Sequence, residues 1–463
     1  MALLMALIII TSTLLLLRSL LIFLNNAWWT PITIQKIIKS QGIKGLPYTF
    51  PHGNTKVITA MRNQSMSQPM DTSHEIFARI QPHVYSWIKT YGMNFVNWHG
   101  SQAQIFVTEP ELVKEILNNR EGAYPKMDME GYAKKLLGEA LITNEGEKWA
   151  KVRKLANHTF HAESLKNMIP EMSRSIGMML ENWKDYEGKE IDVHKEFGLV
   201  TTEVISRTAF GSSYVEGKHI FEMVAKLTAI TVRNIYALRF PGISLITKTD
   251  DEIEAEKLEK AIKKSILDIV DKRKANADDF GNDYLGQLVK IANDANDKKR
   301  ITVDQMIDEI KAIYGAGHLT TTNLLSWTVF LLATNQEWQE KVREEVLELF
   351  GRETPTSDGI ARLKTDVHCF LPDRFANGVA KATKNNAAAF LPFGMGPRTC
   401  VGLNFTTNEA KIALSMILQR YKLSLSSNYV HYPADVFILT PKKGVQVILH
   451  KELVMKTLFM SIS

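Results

Sequence analysis

One short stretch near the C-terminal end, Phe390–Gly402 (FLPFGMGPRTCVG), constrains this chain more than any other. It holds Cys400, one of two cysteines. Phe393, Gly396, Arg398, Cys400 and Gly402 fall at the spacing F-x-x-G-x-R-x-C-x-G. Glycines let the backbone pass close to a sulfur and to a flat ligand. The apolar run Val401–Leu418 predicts a helix, so Cys400 sits where helix N-terminal N–H groups favour a thiolate. Phe393 can cover that sulfur and keep water off. A structural cysteine in a glycine turn would explain the cysteine, but not five matched positions.

The stretch resembles the cysteine-ligand signature of cytochrome P450 heme-thiolate monooxygenases. The match continues through Asn404, Phe405, Glu409, Ala410 and Lys411, as in plant members of the clan usually numbered seventy-two. The resemblance implies a mainly α fold with small β-sheets, with Cys400 as the axial iron ligand. A thiolate pushes electron density through heme iron and favours O–O cleavage. Arg398 can fork onto a heme propionate.

Composition agrees. An apolar share of 45% is ample for a core, and a net charge of +6 with no basic-aromatic motif gives no reason to expect nucleic acid. Two cysteines build no disulfide framework, which fits a reducing, cytosol-facing compartment. Ala2–Leu24 is almost wholly apolar and about long enough to cross a bilayer. Arg18 interrupts it near one end, where a long side chain can snorkel. Asn25, Asn26, Trp28 and Trp29 follow, then Lys36, Lys39 and Lys44. Interfacial aromatics before lysines predict an uncleaved anchor over 1–26; the alternative is a cleaved signal peptide. The expected layout is then a linker over 27–50 and a heme-thiolate domain over 51–463. Gly42–Pro47 (GIKGLP) reads as a stiff hinge, with Leu46-Pro47 where the family has a proline pair.

Phe95–His99 and Ala103–Val107 around Gly100-Ser101-Gln102 predict a β-hairpin, followed by a helix over Pro110–Asn118. Met127–Leu137 is expected as a loop above the active site. Trp149 and Arg153 stand four apart on one helix face, and by resemblance both reach a heme propionate. Helices are predicted over Ile191–Phe210, His219–Asn234 and Asp250–Ala275. Between the last two, Arg239–Ile246 (RFPGISLI) is either a membrane-dipping lid or a packed loop.

Thr302 and Gln305 make a capping box for a long helix over Thr302–Asn335, about 50 Å at 1.5 Å per residue. Its middle reads Ala316-Gly317-His318-Leu319-Thr320-Thr321. By resemblance, the small pair Ala316-Gly317 admits dioxygen and substrate, and the Thr320 hydroxyl helps deliver protons. The family has Asp or Glu before that threonine; Leu319 cannot move a proton.

After the next helix, Glu337–Phe350, the family has a helix carrying E-x-x-R, whose side chains pair with the arginine of a later P-E-R-F-like stretch. That stretch is present as Leu371-Pro372-Asp373-Arg374-Phe375. Its partners are missing: Arg362-Leu363-Lys364-Thr365 runs straight into Asp366-Val367-His368-Cys369-Phe370. Glu340-Lys341-Val342-Arg343 fits by letters but comes too early. One helix and several strands, on the order of 50 residues, are expected to be absent at 365/366. The fold is therefore expected to be an incomplete P450 fold. Strands resume over Tyr421–Leu425, Phe437–Thr440 and Val445–His450, and Leu453–Ser463 matches no pattern.

Two functions follow from the resemblance. One is an enzyme that places one oxygen atom of O2 into a small apolar molecule, using heme and electrons from NADPH through a flavoprotein reductase, at the endoplasmic reticulum membrane. The other is a catalytically inactive heme-binding or misfolded remnant or splice product of such an enzyme.

Overall fold

A computed structural model of the chain describes residues 2–451 apart from 74, 128, 212–213, 236–247, 276–279, 282, 295–299 and 364–377. The stretches Arg239–Ile246, Leu371–Phe375 with Arg374, Asp366–Phe370 with Cys369, and Leu453–Ser463 lie outside the described residues. The chain forms two compact units: Met1–Asn119 with Arg233–Glu252, and Arg120–Val232 with Ile253–Ser463.

The first unit begins with α1 (Ala2–Leu24), five π-helical residues (Asn25–Trp29) and α2 (Thr30–Ser40). The run of helix is continuous, 38 residues over Leu3–Ser40, and its most apolar part has no burial within the chain. Among the described residues this is the one helix long and apolar enough to cross a membrane. Next come α3 (Thr55–Ser65), α4 (Pro82–Tyr91), the strands β1 (Phe95–His99) and β2 (Gln102–Phe106), and α5 (Pro110–Asn118). The hairpin pairs Phe95 with Phe106 and His99 with Gln102. Ile58, Val84, Trp87 and Phe95 make a small core under it.

Gly42–Pro47 is less free than a hinge. Leu46 N–H donates to the Val96 carbonyl and Val96 N–H to the Lys44 carbonyl, both at 3.0 Å. Gly45 meets β1 so closely that a Cβ there would overlap the Val96 backbone. The outer edge of β1 is thus partly covered.

The second unit is mostly helical. Its elements are α6 (Gly131–Leu137), α7 (Gly146–Thr159), α8 (Ala162–Trp183), β3 (Glu190–Asp192), α9 (Val193–Phe210), α10 (Tyr214–Arg233), α11 (Asp250–Ala275) and α12 (Tyr284–Ala292). Then follow α13 (Val303–Thr334), α14 (Gln336–Phe350), α15 (Ser357–Arg362) and α16 (Leu403–Leu418). The chain ends in β4 (Tyr421–Leu425), β5 (Pro433–Val436), β6 (Ile438–Pro441) and β7 (Gln446–Lys451). The stretch expected as a loop over Met127–Leu137 is helical in its second half, as α6.

Helix α13 organises this unit. Its capping box is formed: the Gln305 N–H donates to Thr302 Oγ1, and the Thr302 N–H to Gln305 Oε1. Thirty-two residues give about 48 Å of helix. Met306, Ile310, Leu325 and Val329 are buried along it, and α9 packs along its length. Helix α16 packs on both α8 and α13, burying Ile412, Ala413, Ile417 and Leu418. Strands β3 and β4 flank β7 antiparallel, with Val447 and Leu449 fully buried.

Candidate functional site

The loop before α16 doubles back through one backbone bond: the Cys400 N–H donates to the Phe393 carbonyl at 2.8 Å. Gly394 and Gly396 make this possible at φ of +74° and +72°, a region closed to most residues with a Cβ. Cys400 is a free, exposed thiol. A Cβ on Gly402 would stand in ordinary van der Waals contact with its Sγ, at 3.8 Å.

Two helix residues reach this loop from α7. The Arg153 Nη1 donates to the Thr399 carbonyl at 2.6 Å. The Trp149 ring lies 4.5 Å under the Arg398 guanidinium, a stacking that suits arginine's planar cation. Arg398 Nη1 donates to the Asn144 carbonyl at 2.7 Å. Lys126 joins them, its Nζ donating to the Ile142 carbonyl. Among the described residues one carboxylate stands by: Glu145 Oε1 is 4.0 Å from Arg398 Nη2.

Among the described residues, three cations around one carboxylate leave positive charge in excess. Burial lowers the pKa of Arg398, Glu145 opposes this, and Arg153 adds to the lowering. Burial lowers Lys126 as well, and the charge of Arg398 pushes the same way. Arg153 is lowered by burial while the nearby Cys400 works against that. Cations held against their mutual repulsion form a site for a group with several negative charges. A thiol beside them adds a soft ligand for a metal.

The middle of α13 has two faces. Ala316 and Thr320 are exposed, whereas Thr321, Thr322 and Leu325 are buried. The Thr320 hydroxyl donates to the Ala316 carbonyl at 2.7 Å. Gly317 points elsewhere: a Cβ on it would come within 2.7 Å of Ile205 Cγ1. The missing side chain at 317 therefore serves the close contact of α13 with α9, and of the pair Ala316-Gly317 it is Ala316 that is exposed alongside Thr320. His318 is squeezed against the Phe221 ring, 5.5 Å between centroids; burial holds its pKa down at about 4.

The E-x-x-R letters at Glu340–Arg343 have a structural use. Arg343 is buried and donates to the Leu418 carbonyl and, at 2.9 Å, to the Tyr421 carbonyl. It ties α14 to the end of α16 and the start of β4, while Glu340 pairs with its Nε at 3.4 Å.

The cytochrome P450 family model matches residues 74–365 and 366–449, almost the whole chain after its N-terminal helix. The chain belongs to the cytochrome P450 family. It is 50% identical to cytochrome P450 CYP749A22 of Panax ginseng over 489 residues, covering 92% of this chain and 93% of that protein. It is 33% identical to cytochrome P450 734A1 of Arabidopsis thaliana, covering 91% and 92%. It is also 33% identical to the 7-deoxyloganic acid hydroxylase of Catharanthus roseus, covering 92% and 95%. As a P450 it is a heme-thiolate monooxygenase by family, using O2 and electrons from a redox partner. The exposed N-terminal helix fits the single-pass membrane anchor of plant P450s. The cation cluster and the thiol of this P450 fit the group that the family carries: heme brings two carboxylates and an iron that takes a thiolate.

Lys126, Asn144 and Glu145 belong to this cluster, yet no motif marks them. Asn144 and Glu145 meet Arg398, and Lys126 feels its charge, from more than 250 positions away, and a contact at that separation leaves no periodic trace in the sequence.

Proposed function

We propose that this P450 oxidises a small apolar molecule with one atom of O2, the other leaving as water. The cation cluster beside Cys400 carries the proposal. Cys400 would be the only protein ligand of the iron, and Arg398, Arg153 and Trp149, together with Lys126, would hold the propionates. Heme, when bound, supplies the iron at which O2 is reduced. Phe393, Gly396 and Gly402 shape the cysteine loop. Ala316 leaves room on α13, and Thr320 offers a hydroxyl on the same face to position a proton. Leu319 offers none, so proton supply falls to Thr320 and solvent. Electrons would come from NADPH through a flavoprotein reductase. The membrane would be that of the endoplasmic reticulum, with the heme domain in the cytosol.

A second reading is a catalytically inactive heme-binding or misfolded remnant or splice product of such an enzyme. Two observations favour it. The family model matches in two pieces that meet between 365 and 366, where an E-x-x-R helix would have been lost. The comparison with the ginseng protein also runs over 489 positions, more than the 463 residues of this chain, while covering only 92% of it. A segment of the relatives lost at 365/366 accounts for both.

The test is spectroscopic. Reduced protein under carbon monoxide should give the thiolate Soret band that named the family. Cys400→Ala should abolish it and Cys369→Ala should leave it in place. A thiolate band that survives Cys400→Ala overturns the assignment.

A further inference from the structure

The turn between α6 and α7 is fastened at both ends. At one end it grips α13. The Glu139 N–H donates to Asp308 Oδ2 at 2.8 Å. Gly138, at φ +57°, lies so close to the Asp308 carboxylate that a Cβ would overlap it. Asp308 Oδ1 pairs with Lys311 Nζ at 2.8 Å, and the side chain of Lys311 is only 5% exposed. That ammonium also donates to the Lys135 carbonyl at 2.8 Å, so one ion pair of α13 holds the end of α6 and the start of the turn.

Within the turn, bonds pass from residue to residue. Thr143 Oγ1 donates to the Gly138 carbonyl and accepts the Ala140 N–H. The Asn144 N–H donates to the Ala140 carbonyl, and its side-chain amide to the Glu139 carbonyl. Asn144 is buried. Its own carbonyl, at the far end, accepts Arg398 Nη1 at 2.7 Å. The half-buried carboxylate of Asp308 and the cysteine-loop arginine are thus the two ends of one short hydrogen-bonded turn.

We propose that Asp308 is a positioning residue for Arg398: acting through the turn Gly138–Asn144, it fixes where the Asn144 carbonyl stands and hence how Arg398 and the cysteine loop are held. The functional part of this proposal rests on the reading of that loop as the heme-holding loop; the coupling itself does not. Neither Asp308 nor the turn lies in a sequence motif of the site. The bond from Glu139 needs an oxygen at position 308, whereas the hold of Lys311 needs its charge. The two demands can be separated by substitution.

The experiment is hydrogen–deuterium exchange on the full chain, read in peptides over 138–144 and 396–402. Asp308→Ala should speed exchange in both peptides by about tenfold, the order expected when a hydrogen bond to a charged group is lost. Asp308→Asn keeps an oxygen for the Glu139 N–H and should restore most of the protection in both. Asp304→Ala, which removes an exposed partner of Lys263 on the same helix, should change neither. If Asp308→Ala does not fold, the reciprocal variant decides. Arg398→Gln should speed exchange in 138–144, because coupling between two sites runs equally both ways. Faster exchange in 138–144 with no change in 396–402, or no response of 138–144 to Arg398→Gln, would overturn the proposal. In heme-loaded protein, Asp308→Ala should also lower the thiolate share of the carbon monoxide spectrum, with Asp308→Asn close to the unsubstituted chain. A missing thiolate band in the unsubstituted chain would count against the heme reading and leave the exchange result standing.

Discussion

Among the described residues the first unit carries one small sheet and the second carries two, the β5–β6 pair and a three-stranded sheet; the hairpin of the first unit and the three-stranded sheet are built differently. In the second unit β7 lies between β3 and β4, so both of its edges are paired. Its inward residues Val447 and Leu449 have no exposure at all. Among the described residues β1 and β2 of the first unit form a two-stranded pair, with single bridges to β1 from Gly45 at Val96 and from Gly53 at His99. Strand β2 buries none of its residues, and Ile105 is 48% exposed. A two-stranded ribbon is marginal by itself, and an unpaired apolar edge invites pairing with another chain. The three-stranded sheet is complete with what the chain contains. The hairpin has the form of a sheet whose other strands lie in the segment proposed to be missing at 365/366.

The largest effect should come from restoring that segment. A donor E-x-x-R stretch placed between Thr365 and Asp366 should raise heme per protein and the melting temperature, and slow amide exchange over Gln102–Phe106. Equal heme, melting and exchange with and without the insert would break the comparison. A smaller contrast sharpens it. Leu449→Ala should cost about 2–5 kcal/mol, as for a fully buried leucine, measured by urea unfolding. Ile105→Ala should stay within about 0.5 kcal/mol, as for an exposed site. Similar costs at both positions would show that β2 is better packed than its exposure indicates.

Acid–base chemistry gives the next prediction. Glu309 is fully buried on α13, with Oε2 accepting the Tyr284 hydroxyl at 3.4 Å, and burial pushes its pKa up to about 8. A carboxyl raised in the folded state contributes stability that is complete below its unfolded pKa and is lost as pH rises through the folded one. Stability should therefore fall from mildly acidic pH towards about 8, and Glu309→Gln should flatten that slope in thermal melts. An unchanged slope would show that the carboxyl is not the cause. The smallest effect is expected from Leu319→Glu in the repaired chain: more product per NADPH consumed, because an acid returns next to Thr320. The same product yield with several substrates would show that the acid is dispensable.

The parts of the fold legible in the sequence were those with local causes. The capping box of Thr302 and Gln305 starts α13 as expected, and Trp149 and Arg153 share a helix that reaches the cysteine loop. The face of Gly317 was not legible, since a glycine in a helix says only that something comes close, and Ile205 on α9 is what does. Strand β5 leaves no mark in the sequence, because Pro433-Ala434-Asp435-Val436 has no run of β-branched or aromatic residues. Lys126 and the turn Gly138–Asn144 were invisible because their meaning lies in partners on α13 and in the cysteine loop.

The helix that begins at Leu3 has a mechanical consequence. It continues to Ser40, some 16 residues past its apolar part, or about 24 Å at 1.5 Å per residue. The Tyr48 hydroxyl reaches back to the Ala27 carbonyl and the Tyr48 N–H to Gln35 Oε1, so the chain that follows is braced along this mast. A chain on a loose tether sweeps a wide disc and turns freely; one on a mast keeps a set height and bearing. The π-helical turn Asn25–Trp29 sits where the mast leaves the apolar stretch. Such a turn holds one residue more than an α-turn, and one residue corresponds to about 100° of rotation around the axis. Those five residues therefore set the rotation of α2, and of the chain braced along it, about the axis of α1.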